Sequence, residues 1–470
     1  MPIVAPPFSL LDFCSEIRSA PPGSASTSLD KIRDLVTRVD CSPLSLARVF
    51  GSRELDELCL QIGAIEAPTV PLERSGRTTF LVTSLAMIGG HTRLLLDLVR
   101  ALESEEEVLV LATDILEEGF DPGLDRLLSE VNAKYVAAPK ADLFDKLQWL
   151  QQQFADLRPS RTFTLLHPFD SVSIAAVQPG LPGELTFIHN FDHNLALGVH
   201  LSHARHVDLH AKGLFDCRDI EGLTGNVYWP LVVEDPGRPP ERQFMLTGTP
   251  TTCCAGGLEK FDRFFIDGVQ PHLNEYLTCL PRMMAAGGGR HVHVGPLPDA
   301  FLSEIRQALT KASVPPERFE HRPFVADLAR MFFDDDIDVY VGSFPIGGGR
   351  ATLEAEAAGM PLIIHDNYQS AFLSVVDEIY PEAMIWRTVE ELANFIAQLT
   401  PQLLSHHSKL ARRHYERSHH PDLLKNAITG EVFDCPRPHH PLDRLQGYFH
   451  LEACVAHMVR SGKLPWSQRS

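Results

Sequence analysis

The sequence is short of basic residues: 42 lysines and arginines stand against 61 aspartates and glutamates, a formal net charge of −19. Such a chain is poorly suited to nucleic acid or anionic lipid, because both attract basic surfaces. Its 9 cysteines are odd in number and scattered without paired C-x-x-C sets, which indicates reduced thiols. No basic segment with a long apolar core follows Met1, and no apolar run reaches membrane-spanning length. We therefore expect a cytoplasmic protein without a membrane span.

The 470 residues, 44% of them hydrophobic, are enough for two or three domains with sizeable cores. Alternating strand and helix patterns begin at Thr78 and begin again at Phe244–Gly248, which we expect to be the strand that opens a second parallel sheet. A segment rich in proline, Pro236–Arg242, separates the two series. We predict a helical N-terminal region (1–70), a first α/β domain (71–238), a second α/β domain (239–400) and a helical tail that could return to the first domain (401–470).

One stretch has a sharper pattern than the rest. The apolar run Ile337–Val341 predicts a buried strand, Gly342–Gly349 a glycine-rich loop, Arg350–Ala358 a helix and Leu362–Ile364 another strand. Such a loop leaves backbone N–H groups unpaired at a helix N-terminus, where a phosphate can bind. The loop is neither a Walker loop nor the G-x-G-x-x-G fingerprint.

This stretch resembles the nucleotide-sugar site of glycosyltransferases with the GT-B architecture. The matching residues are Gly348-Gly349-Arg350-Ala351-Thr352-Leu353-Glu354 and Ala358-Gly359-Met360-Pro361. Many retaining members carry a second glutamate eight positions before the first, but Ile346 occupies that position here. The loop is most similar to those of O-GlcNAc transferase and the bacterial HMW-type adhesin glycosyltransferases, which invert. The resemblance covers Thr78–Leu399 in the order of elements.

The resemblance implies an α/β fold of two Rossmann-like domains facing a cleft, with a small helical N-terminal region. It implies that backbone N–H groups hold a diphosphate and that Lys260 and Arg350 neutralise charge on the leaving UDP. No metal or other cofactor is then needed beyond a UDP-sugar co-substrate. Glu354 would grip the sugar or ribose, and Phe324 lies in a loop that meets the nucleotide base in such enzymes. The implied donor-binding residues are Lys260, Gly348, Gly349, Arg350, Ala351, Thr352, Glu354, Phe324 and Gly90.

Two further segments follow predicted strands of the first domain. Gly89-Gly90-His91 follows the first strand, as a similar turn does in GT-B enzymes, and His189–His193 follows a later one. Ligands of parallel sheets lie beyond the carboxyl ends of the strands, so both segments can line one crevice. A general base for an acceptor hydroxyl is expected there. The candidates are Asp192, His193 and His91, and Asp192 could instead hold a histidine in its working tautomer.

Six histidines fall between His189 and His210. Their spacings match no tidy ligand set such as H-E-x-x-H, and we favour a polar cleft wall over a metal site or ordinary hydrogen-bonded histidines. His206, Asp208 and His210 alternate with apolar residues, as on one face of a strand.

The expected activity is inverting, metal-independent transfer of a hexosyl or N-acetylhexosaminyl group from a nucleotide-diphosphate sugar to a protein or glycan acceptor. A nucleotide-sugar 2-epimerase of the same fold and a catalytically silent binding or scaffold protein are the alternatives. The expected partners are the nucleotide sugar and the acceptor. No nucleic-acid partner is expected, and a homo-oligomer is compatible with this hypothesis.

Overall fold

A computed structural model describes residues 9–40, 42, 45, 48–68, 73–87, 89–104, 106–237, 242–261, 276–366, 373–430, 433, 435 and 447–460. The chain divides into two compact units. The first unit comprises residues 1–229, 427–436 and 442–470, and the second comprises residues 230–426 and 437–441. Each unit contains one parallel sheet flanked by helices, which confirms the predicted two-domain α/β fold.

The sheet of the first unit has seven parallel strands in the order β3-β2-β1-β4-β5-β6-β7. The central strands are buried along their whole length, as apolar runs in a doubly covered sheet should be. The chain adds strands outward from β1 to β3, then returns and adds strands in the opposite direction from β4 to β7, so the switch point of this sheet lies between β1 and β4. The strands are β1 (Thr78–Val82), β2 (Val108–Ala112), β3 (Ala133–Ala137), β4 (Arg161–Leu165), β5 (Glu184–His189), β6 (Arg205–Asp208) and β7 (Val227–Tyr228).

The helices of the first unit include the predicted N-terminal ones. Ser9 and Asp12 form a capping box that starts the first helix, and the apolar faces of the first three helices join one core with the last helix. The helices are α1 (Leu10–Ser19), α2 (Ala25–Asp40), α3 (Arg53–Gly63), α4 (Gly90–Leu102), α5 (Gly123–Ser129), α6 (Leu143–Leu157), α7 (Ser171–Ala176), α8 (Ala211–Asp219) and α16 (Gly447–Arg460).

The sheet of the second unit has six parallel strands in the order β10-β9-β8-β11-β12-β13. The chain winds outward from β8 to β10, then crosses back and continues outward from β11 to β13. The switch point therefore lies between β8 and β11. The strands are β8 (Thr252–Ala255), β9 (His291–Val294), β10 (Phe319–Arg322), β11 (Val339–Val341), β12 (Leu362–His365) and β13 (Met384–Trp386).

The helices of the second unit alternate with these strands and then continue beyond the sheet. No helix among the described residues is both long and apolar enough to cross a bilayer. The helices are α9 (Tyr276–Gly287), α10 (Asp299–Lys311), α11 (Leu328–Asp334), α12 (Gly349–Ala357), α13 (Val389–Ala397), α14 (Pro401–Ser418) and, across the boundary between the units, α15 (Pro421–Ile428).

The strand predicted at Phe244–Gly248 is wrong. That segment forms a turn in which Met245 has a φ of 57°, and the second sheet instead begins at Thr252–Ala255. The side chain of Asp338 accepts the N–H groups of Met245 at 2.6 Å and Thr251 at 2.7 Å. These two backbone N–H groups are therefore not available for hydrogen bonds to a neighbouring strand. All four residues of Thr252–Ala255, by contrast, are buried in the sheet.

Candidate functional site

Two glycine-rich loops meet at the switch point of the second sheet. One follows β8 and carries Lys260, and the other follows β11 and leads into α12. The Lys260 ammonium donates to the Gly347 carbonyl at 3.3 Å, and the Ile346 N–H donates to the Lys260 carbonyl at 3.4 Å. Sheets of this kind bind ligands at the carboxyl ends of the two strands that flank the switch point. The second unit thus places a cation and a glycine-rich loop at that position.

The N-terminus of α12 has no side-chain cap. Gly348 occupies the cap position, and the hydroxyl of Thr352 donates back to the Gly348 carbonyl at 2.8 Å. Gly348 therefore has no side chain that could accept the N–H groups of the first helical turn, from Gly349 to Ala351. Such donors, with the helix dipole behind them, favour an anion such as a diphosphate.

Close packing explains two of the loop glycines. A β-carbon on Gly347 would lie 3.0 Å from the backbone carbon of Ser374, and one on Gly348 would lie 3.1 Å from the Ser343 hydroxyl. The same β-carbon on Gly348 would approach the Lys260 stem at 3.9 Å. Glycine therefore lets the loop fold tightly against its neighbours and leaves its backbone open to a ligand.

Lys260 is half-buried, and this burial lowers the pKa of its ammonium, although the nearby Glu259 acts in the opposite direction. A dianionic phosphate group bound beside it would favour the charged form again. The position of Lys260 therefore suits a cation whose best partner is an anion.

Arg350 and Glu354 form an ion pair one helical turn apart on α12. The Nε–Oε1 distance is 3.2 Å, and both side chains are partly exposed. Both residues therefore lie in the N-terminal part of α12, where the sequence predicted the donor site. The Arg350 guanidinium contacts the Glu354 carboxylate there. A ligand phosphate would compete with Glu354 for Arg350 or share it.

Phe324 follows the edge strand β10 and is 58% exposed, a large value for an aromatic side chain. Nearby, the imidazole Nε2–H of His321 donates to the Gly295 carbonyl at 2.8 Å and so ties the ends of β9 and β10 together. An aromatic ring that is exposed beyond the carboxyl end of a strand is accessible for stacking on a nucleobase.

A buried polar cluster that sequence reasoning missed supports the loop that carries Lys260. The hydroxyl of Tyr276 lies 3.0 Å from both the His291 and the His293 ring, and Cys254 contacts all three side chains at 3.2–3.3 Å. Burial lowers the pKa of each of these imidazoles to about 3. His293 then donates from Nε2 to the Gly256 carbonyl at 3.1 Å. The only signal in the sequence was the H-x-H alternation on β9.

In the first unit, Gly89 and Gly90 form an exposed start to α4, again without a side-chain cap. The adjacent His91 stacks on His167 at 5.1 Å and donates from Nε2 to the Leu165 carbonyl at 3.0 Å. Burial is the main cause that lowers the pKa of His91 to about 3, and the neighbouring His167 lowers it further. An imidazole with so low a pKa is a weak base, and its N–H is already used. His91 therefore fits a positioning role for the turn better than the base predicted for it.

Asp192 is fully buried, and its carboxylate contacts an imidazole at the start of α8. Its Oδ2 accepts the Nδ1–H of His210 at 2.6 Å, and His210 is 22% exposed. Gly213 permits this contact, because a β-carbon there would lie 2.5 Å from the same oxygen. Of the two roles considered for Asp192, this arrangement favours orienting a histidine. That histidine is His210, at the start of α8, while His193 lies half-buried beside Phe191.

No protein-family model matches the sequence, and no curated protein matches it. Solved structures match the fold. A Thermobaculum terrenum O-GlcNAc transferase mutant is 15% identical with a TM-score of 0.50, and the match covers 96% of this chain and 82% of that one. A glycosyltransferase from Rickettsia africae is 11% identical with a TM-score of 0.55, covering 76% and 97%. Anabaena HepE, solved with UDP and glucose, is 12% identical with a TM-score of 0.53, covering 75% and 98%.

These matches define the class of fold. Two Rossmann-like units in succession, each with a parallel sheet that reverses its winding at a switch point, make up the GT-B fold. The chain therefore has the GT-B fold that the sequence motif predicted.

Proposed function

We propose that the protein is a glycosyltransferase that moves a hexosyl or N-acetylhexosaminyl group from a UDP-sugar to a hydroxyl or amide of a protein or glycan acceptor. The observation that carries this proposal is the contact of Lys260 with the loop that opens α12. A cation and an uncapped helix N-terminus converge there at the switch point of a Rossmann-like sheet. This combination suits a diphosphate, and the exposed Phe324, which follows the edge strand of the same sheet, suits the base.

The roles of the donor-site residues follow from where each lies. The N–H groups of Gly349, Arg350 and Ala351 would bind diphosphate oxygens. Lys260, aided by the Arg350 guanidinium, would stabilise the negative charge that builds on UDP as the glycosidic bond breaks. These charges take the place of a divalent cation, so we propose metal-independent chemistry. Glu354, freed in part from Arg350, would accept hydrogen bonds from sugar or ribose hydroxyls.

The first unit would supply the base. The imidazole of His210 would accept the acceptor proton, while the buried carboxylate of Asp192 holds its Nδ1–H and so leaves Nε2 as the basic atom. The acceptor would then attack the anomeric carbon from the face opposite UDP, and UDP would leave with the bonding electrons. One such displacement inverts the configuration. His193 is the second candidate for this role.

The test is to incubate the purified chain with UDP-sugars and follow both the nucleotide and the sugar. A transferase releases UDP, slowly by hydrolysis and faster with an acceptor, without added Mg²⁺ or Mn²⁺. Conversion of the sugar while it stays attached to UDP would instead identify an epimerase. A chain that binds UDP in thermal-shift measurements but neither releases nor converts it would be a binding protein. Absence of UDP binding altogether would overturn the assignment of the switch-point loops.

A further inference from the structure

Four side chains of the first unit converge in its core at one end of the sheet. His189 ends β5, His206 and Asp208 lie on β6, and Cys217 lies on α8. All four are buried, with exposures of 1%, 9%, 0% and 1%. One nitrogen, oxygen or sulfur atom from each lies within 4.8 Å of the others. The strand register brings this about, because His189 and Asp208 are paired directly across the ladder.

Three separations within the cluster are close to those of a coordination shell, or slightly shorter. Asp208 Oδ1 lies 3.4 Å from His189 Nδ1 and 3.1 Å from His206 Nε2, and Cys217 Sγ lies 3.3 Å from His189 Nδ1. Ligands at about 2.0–2.3 Å from a tetrahedral zinc ion lie roughly 3.3–3.8 Å apart. An expansion of a few tenths of an ångström would therefore open a tetrahedral site. Two imidazoles, one thiolate and one carboxylate are a donor set that suits Zn²⁺.

The charges also favour a cation. The carboxylate of Asp208 contacts only imidazole, amide and thiol groups among the described residues, with no lysine or arginine as a partner. Its counter-charges are then the imidazoles of His189 and His206, which pair with it as ions only when protonated, and a buried carboxylate without a counter-charge is costly. A divalent ion bound to one carboxylate and one thiolate makes the whole cluster neutral. The amide of Asn226 already donates to Asp208 Oδ2 at 2.8 Å, which orients the carboxylate and leaves Oδ1 for the ion.

We propose that His189, His206, Asp208 and Cys217 form a structural zinc site. Four protein ligands close the coordination shell, so the ion has no open position for a substrate. Its role would be to fasten β5 and β6 to α8. The sequence alone did not favour a metal here, because Cys217 lies outside the histidine-rich stretch and joins it only through the packing of α8. This inference does not depend on the proposed sugar transfer.

A second group, Glu356, His414 and His419, is a weaker candidate. Both ring nitrogens of His419 lie within hydrogen-bond distance of carbonyl oxygens, of Leu231 at 2.8 Å and of Glu378 at 2.9 Å. These contacts occupy the nitrogen atoms that a metal would need, so we propose no site there.

The experiment measures metal in the full chain, purified without a metal-affinity column. We expect about one zinc per chain by inductively coupled plasma mass spectrometry, as one closed four-ligand site predicts. The variants Cys217→Ser and His206→Gln should lose it. Matched controls should keep it: Cys59→Ser removes another buried thiol of the same unit, and His203→Gln removes a histidine of the same stretch that bonds to the Val177 carbonyl.

A second measurement tests the proposal even if a variant fails to fold or zinc is lost during purification. The metal-stripped wild-type chain is titrated with Co²⁺, which should give thiolate-to-cobalt absorption in the near ultraviolet that saturates at one equivalent and is displaced by Zn²⁺. The proposal is overturned if the wild type takes up neither ion stoichiometrically. It is equally overturned if Cys217→Ser and Asp208→Asn retain the wild-type metal content, because the cluster would then be a hydrogen-bonded network and any metal adventitious.

Discussion

The Lys260 ammonium lies 3.3 Å from the carbonyl oxygen of Gly347, so a residue beyond β8 contacts the loop beyond β11. A carbonyl is a modest partner for a half-buried cation, and a phosphate is a stronger one. The contact therefore describes a site that is already assembled and whose best partner is an anion.

Replacing Lys260 by methionine should weaken UDP binding. The change keeps the apolar stem and removes the charge, and a hydrogen bond to a charged group contributes about 1.5–3 kcal/mol. Isothermal calorimetry with UDP measures this directly. Lys311→Met, at the exposed end of α10, is the matched control and should bind UDP like the wild type. Equal affinity of both variants for UDP would remove Lys260 from the diphosphate site.

Arg350→Ala should also weaken UDP binding, by about 1–3 kcal/mol, because a charge-assisted hydrogen bond is lost. The control is Arg330→Ala, which breaks a similar ion pair one helical turn apart, with Asp334 on α11. Unchanged affinity of Arg350→Ala in calorimetry would show that its guanidinium does not bind the diphosphate.

Phe324→Ala should lower the affinity for UDP by about 1–3 kcal/mol, the range for stacking of a base on an aromatic ring. The melting temperature without ligand should stay the same, because the ring is 58% exposed. Leu246→Ala removes a side chain of the same unit that is 60% exposed and should change neither quantity. A fall in melting temperature without a loss of UDP affinity would show that Phe324 is a packing residue.

Asp192→Asn and His210→Gln should slow sugar transfer by about 10²–10⁴, the usual loss when a general base or its orienting partner is removed. Their affinity for UDP should stay near that of the wild type, since both residues lie in the first unit. His193→Ala tests the alternative base in the same assay. If His193→Ala loses transfer while His210→Gln retains it, the base assignment moves to His193.

Acid should destabilise the second unit. The pKa of His291 and of His293 is lowered to about 3 by burial, whereas an exposed histidine titrates near 6.5. Between these values the unfolded chain binds more protons, so the free energy of unfolding falls as pH falls, by at most about 1.4 kcal/mol per pH unit for each histidine. Calorimetric melts from pH 7 to 4.5 measure this slope.

The variant His291→Gln removes one of these buried groups and should flatten the dependence of melting on pH. Its melting temperature at pH 7 can be lower, since Gln does not reproduce every bond of the cluster, but the slope is the readout. His406→Gln, exposed on α14, is the control. Parallel curves for the wild type and His291→Gln would show that His291 does not contribute to acid destabilisation.

Local patterns in the sequence were enough to predict the α/β fold and the loop that opens α12. The strand, loop, helix and strand at Ile337–His365 follow from apolar runs, glycines and helix formers, which act over a few residues through backbone sterics and burial. The start of the second sheet could not be predicted from such local patterns. Thr252–Ala255 has no long apolar run, and its place as β8 depends on burial beside β9 and β11.

The side-chain partnerships were decided by tertiary structure alone. Asp192 and His210 are 18 positions apart, and Lys260 and Gly347 are 87 apart. Cys217 meets His189 only because β6 lies beside β5 and α8 packs against β6. Strand order and register set such contacts, and both depend on how the whole chain buries its apolar surface. The sequence by itself therefore determined which segments could carry chemistry, and the folded sheets determined which of their side chains meet.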